Sequence, residues 1–71
     1  METRFETLEE ELVAIDCMSE GVLVKYYGSN ERERIENGVI NWWRTQISEN
    51  EVNEALLLMK ELREEQAEAI L

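Results

Sequence analysis

The chain has 71 residues, with seventeen Asp and Glu against seven Lys and Arg, no histidine, no proline and one cysteine. Its formal charge of −10 disfavours nucleic-acid binding by phosphate neutralisation, which needs clustered Lys and Arg. Without His there is no Ser-His or Cys-His catalytic pair and no imidazole metal site. With Cys17 alone there is no disulfide framework.

Hydrophobic content of 44% with 34% charged residues describes a folded chain, and the length allows a single small domain spanning 1–71. A domain of this size buries only about 60% of its unfolded surface. Disulfides and imidazole metals are unavailable to reinforce it, which leaves regular helix packing and self-association. A homo-oligomer, most simply a homodimer, is therefore expected. Cys17 is read as a small buried thiol in a reducing compartment. No leader pattern is read, and the longest apolar run, Leu56-Leu57-Leu58-Met59, is too short to span a bilayer. A soluble cytoplasmic protein without membrane contact is expected.

Over residues 2–28, Phe5, Leu8, Leu12, Ile15, Val22 and Tyr26 follow a 3-4 spacing, with Ser19 at the one missing position. This predicts a long amphipathic helix, with Thr3 or Thr7 as its cap, Gly28 as its stop and Gly21 as the place where it could break. The alternative is α+β. Leu12–Ile15 and Val22–Tyr27 would then form an N-terminal hairpin turning at Ser19-Glu20-Gly21.

Residues 30–48 predict a second helix. Ile35, Val39, Trp42, Trp43 and Ile47 recur at helical spacing, and Asn30 with Glu33 makes a capping-box pattern. Residues 49–71 predict a third, started by Ser48 and Glu51. Val52, Ala55, Leu56, Met59, Leu62, Gln66, Ala69 and Ile70 lie on one face of it; Glu54, Glu61, Glu65 and Glu68 lie on the other. The fold expected is an all-α three-helix domain.

Acid is unevenly spread. Residues 1–29 and 49–71 each hold seven acids and two bases, −5 apiece, while residues 30–48 hold three of each. The carboxylate runs Glu9-Glu10-Glu11 and Glu61, Glu64, Glu65, Glu68 lack the pattern of a calcium loop and any Glu-x-x-His motif, so they read as solvated faces. Nothing marks a nucleophile or a tuned acid–base pair. No enzyme activity, cofactor or metal is expected.

The informative residues are those enriched at binding hot spots. Tyr26 and Tyr27 end the first segment, and Trp42 and Trp43 precede Arg44. Adjacent aromatics sit about 100° apart on a helix, so if one packs inside, the other lies at the core's edge. Leu57 falls off the apolar face of the last helix, beside Glu61, Glu65 and Glu68. These nine residues are the candidate partner-binding set. The function they imply is an acidic helical protein-binding module acting as a regulator or inhibitor. The alternative is a nucleic-acid mimic, of the anti-defence kind that viral or mobile-element proteins supply. Its carboxylates, about 6 Å apart along the axis, would occupy a basic DNA- or RNA-binding channel in a partner.

Overall fold

The structure, a computed structural model, describes residues 5–70, with side chains through Ala67. Among the described residues it is all-α, without strands. It has four helices rather than three: α1 (Leu8–Cys17), α2 (Glu20–Tyr27), α3 (Arg32–Trp43) and α4 (Glu49–Ile70). The hairpin reading of residues 12–27 is overturned, and so is a break at Gly21, which stays inside α2.

The break falls at Met18-Ser19. Thr7 starts α1, its Oγ1 accepting from the Glu10 N–H at 3.2 Å, while Glu9, Glu10 and Glu11 occupy the first turn, where the helix dipole favours carboxylates. Met18 then turns extended, at φ −73 and ψ 141, and Ser19 caps α2 by accepting from the Val22 N–H. The released carbonyls find a partner in Arg32. Its Nε donates to the Ile15 carbonyl at 3.1 Å and its Nη2 to the Met18 carbonyl. A guanidinium from α3 thus satisfies acceptors that a continuous helix would have satisfied itself.

This break re-aims everything after it. Leu8, Leu12 and Ile15 are buried as the 3-4 stripe predicts, but Val22 and Tyr26, the next members, are 37% and 52% exposed. Leu23 takes the inward position, with Tyr27 half-buried beside it. Gly28 ends α2 at φ 76, the left-handed region where a glycine carries no Cβ penalty, and its N–H bonds to the Val24 carbonyl at 2.9 Å.

The expected box of Asn30 and Glu33 does not form. Glu31 flanks α3 without a side-chain cap, and its own N–H donates to Ser29 Oγ instead. α3 ends at Trp43, short of the predicted 48, because the N–H groups of Thr45, Gln46 and Ile47 tighten onto the Trp42 and Trp43 carbonyls. Ser48 starts α4, its hydroxyl accepting from the Glu51 N–H and bonding the Glu51 carboxylate, both at 3.3 Å.

α1 is the central element, packed against both α3 and α4. The core joins Leu8, Leu12 and Ile15 to Leu23, to Ile35, Val39 and Trp43, and to Val52, Ala55 and Met59. Each fully buried Leu or Ile there stabilises the fold by roughly 1.5–3 kcal/mol. α4 has 22 residues against ten in α1, so its C-terminal turns run past the bundle, and residues 63–67 are exposed. The radius of gyration, 12.5 Å, accordingly exceeds the roughly 11 Å of a compact chain this long. Cys17 is exposed, not buried: it lies on α1 opposite Leu8 and Ile15. No helix among the described residues is long and apolar enough to cross a membrane.

Candidate functional site

The two tryptophans divide as their 100° offset requires. Trp43 is 6% exposed and turned inward, while Trp42 is half-buried at the core's edge, meeting Trp43 edge to face with centroids 5.2 Å apart. Trp43 Nε1 donates to Glu11 Oε1 at 2.7 Å, and the Tyr27 hydroxyl donates to Glu11 Oε2 at 2.9 Å. Glu11 itself is 2% exposed. Of the candidates for contact with a partner, Trp43 is therefore taken up by the interior, while Tyr27 stays half-buried with its hydroxyl held by Glu11. Burial, reinforced by the bond to the Glu11 carboxylate and its charge, pushes the Tyr27 hydroxyl's pKa well above the usual tyrosine range. The run Glu9-Glu10-Glu11 had read as one solvated face. The missed signal was that Glu11 shares the α1 face of Leu8, Leu12 and Ile15.

Two other candidates lie at the surface. Tyr26 is half-exposed on α2. Arg44 pairs with Glu49 at 3.3 Å and donates to Asn41, so its guanidinium joins the end of α3 to the start of α4.

Arg63 ties three helices together. Its Nε and Nη2 both donate to Asp16 on α1 at 3.1 Å, and Nη2 also reaches Glu36 on α3 at 2.9 Å. Burial pushes the Asp16 carboxyl up, but its bonds to Arg63 and Glu36 and the charges of Arg63 and Arg32 outweigh this and hold it below its ordinary 3.8. Glu36 goes the other way, raised above 4.5 by burial and by its bond to Asp16 despite Arg63. Above this ion triad runs a cleft of about 320 Å³ between α3 and α4, its floor apolar (Leu12, Ile40, Leu56, Met59) and its rim of mixed charge.

The remaining candidates come together on the outer face of α4. Leu57 is 57% exposed, opposite the buried Val52, Ala55 and Met59, and Leu58, 41% exposed, lies at the edge of that buried face beside Ala55. Glu51, Glu54, Leu58, Glu61 and Glu65 follow a 3-4-3-4 spacing that stacks them along one stripe, with Leu57 and Glu64 beside it, all exposed. Leu57, Glu61 and Glu65 were expected in the site; Leu58, Glu51 and Glu54 join them. Glu68 belongs to α4, but its side chain lies outside the described residues. Among the described residues no three Cys, Asp or Glu side chains converge to hold a metal ion. What this face offers is a desolvatable apolar centre within a negative field. No family model matches the chain, and no curated protein or solved structure matches it either.

Proposed function

We propose that the protein is a non-catalytic binding module, regulating or inhibiting a partner protein through the outer face of α4. The partner's matching surface is basic around an apolar socket. The observation that carries this reading is the pair Leu57 and Leu58, exposed amid Glu51, Glu54, Glu61, Glu64 and Glu65. Interfaces draw affinity from an apolar centre closed off from water and draw selectivity and speed from a polar rim. Desolvating Leu57 supplies the first, and the carboxylates steer a basic partner. A second copy is a poor occupant here, since it would bring residues 49–71, at −5, against the same charge.

The nucleic-acid-mimic reading uses the same carboxylates but has no use for the leucines, so the leucines favour a protein socket.

The test is capture of a partner from the native cell, followed by titration of that partner against variants. Leu57→Ala and the pair Glu61→Lys/Glu65→Lys should each weaken binding about tenfold or more, and affinity should fall steeply with salt. Binding insensitive to Leu57→Ala but abolished by the reversals would favour mimicry. Binding lost in Trp42→Ala while every α4 variant behaves as wild type would move the interface off α4.

A further inference from the structure

We infer that a second cleft, between the N-terminal ends of α1 and α4, is the socket for an arginine side chain of the partner protein; this rests on the reading of a basic partner. The cleft holds about 230 Å³. That is below the roughly 300–1,000 Å³ of a small-molecule pocket and fits one long side chain. Its floor is apolar, built from Leu8, Trp43 and Ile47. Its rim carries Glu6 and Glu9 from the start of α1 and Glu51 and Glu54 from the start of α4. Glu51 and Glu54 belong also to the outer stripe of α4, so the cleft continues the proposed interface.

Charge complementarity identifies the occupant. No Lys or Arg lines the cleft, and among the described residues no ion pair reaches its four carboxylates. Apolar walls focus a field of one sign onto a cation. A metal ion is the wrong cation, because among the described residues no three acid side chains converge to hold one. Carboxylates spread around an apolar floor match instead a cation that carries its own apolar flank. Arginine has that form. Its alkyl stem lies along Leu8, Trp43 and Ile47, and its weakly hydrated guanidinium, with five donors in a fork, reaches carboxylates from both helices. Trp43 is a fixed floor, since Glu11 holds its Nε1. Glu9 and Glu51 stand in first turns, where the helix dipoles offset part of their charge. Glu6 and Glu54 lie outside those turns and supply the uncompensated attraction.

N-acetyl-arginine amide, titrated into the full chain at fixed ionic strength and followed by NMR, tests the socket without the partner. It should shift the Trp43 indole N–H and the Leu8 and Ile47 amide signals saturably, with a Kd on the order of millimolar. The uncharged citrulline analogue should leave them in place, and the lysine analogue should bind severalfold more weakly. Glu6→Gln/Glu54→Gln, both at exposed positions, should keep its helical circular dichroism and weaken the arginine probe about fivefold. Glu61→Gln/Glu65→Gln, the same change of charge made elsewhere, should leave its affinity within about twofold, as should Arg4→Ala. The inference is overturned by shifts that never saturate or that spread over the whole acidic surface. Equal binding of the citrulline or lysine analogue overturns it too, as does indifference to Glu6→Gln/Glu54→Gln. A severalfold gain in Arg4→Ala would make the chain's own Arg4 the occupant in place of a partner's arginine. The captured partner separates this inference from the α4 reading. A partner that needs Leu57 but ignores Glu6→Gln/Glu54→Gln sinks the socket alone; one that needs the cleft but ignores Leu57→Ala sinks the α4 reading alone.

Discussion

Glu11 and Trp43, thirty-two positions apart in the chain, meet in the interior, where the indole Nε1 donates to the carboxylate across 2.7 Å. Tyr27 donates to the other oxygen, so one acidic side chain on α1 organises an aromatic from α2 and another from α3. Such a group is costly to bury and more costly to strip of its partners.

Replacement of Glu11 should therefore depend on what the donors are left with. Glu11→Ala empties a packed site and orphans the buried Trp43 N–H, and should destabilise by about 3 kcal/mol. Glu11→Gln can accept from Trp43 through its oxygen and donate to the Tyr27 hydroxyl through its amide, which costs about 1 kcal/mol. Urea denaturation of both variants should keep that order.

The Arg63 triad gives opposite pH signatures to its two carboxylates. Asp16 is lowered, so its contribution is present above its ordinary 3.8 and lost as pH falls through the depressed value. Glu36 is raised, so its contribution is full below its ordinary 4.5 and disappears as pH rises through the elevated value. On acidification from neutrality, stability should first rise, helped by partial neutralisation of the −10 charge, and fall only below the ordinary Asp16 value. Glu36→Gln should flatten the rise. Asp16→Asn should lower neutral stability by less than about 1 kcal/mol, because the pair is partly solvated. Urea midpoints across a pH series measure both effects.

Two glycines should respond to alanine with opposite signs. Gly28, at φ 76, requires a conformation that a Cβ resists, so Gly28→Ala should cost about 1 kcal/mol. Gly38 lies inside α3 at negative φ with nothing near its missing Cβ, so Gly38→Ala should stabilise by about 1 kcal/mol. Thermal unfolding of the pair checks both.

Arg32 holds the end of α1 rather than a carboxylate. Arg32→Ala leaves the Ile15 and Met18 carbonyls without that donor and should destabilise by about 2 kcal/mol. Hydrogen exchange should locate the added opening in residues 15–27, ahead of α3 and α4.

Local rules were enough to read an all-α chain and the start of its last helix, but not the division of residues 2–28 into α1 and α2 or the bounds of α3. Thr7, Gly28 and Ser48, read as cap, stop and cap, act on backbone groups one to four positions away, and the faces of α3 and α4 follow from spacing within each helix. Ser19, read as a gap in the stripe or part of a turn, is instead the cap of α2. The outward position of Leu57, Glu61 and Glu65 is legible for the same reason: a single-helix wheel already sets them opposite Val52 and Met59. Longer-range facts were not legible. Whether the chain breaks at Met18 depends on a guanidinium arriving from position 32. That break in turn decided that Leu23 and not Val22 faces inward. Glu11 differs from Glu9 and Glu10 only through what α2 and α3 bring to it, because a carboxylate can be buried only where donors from elsewhere in the fold replace its water.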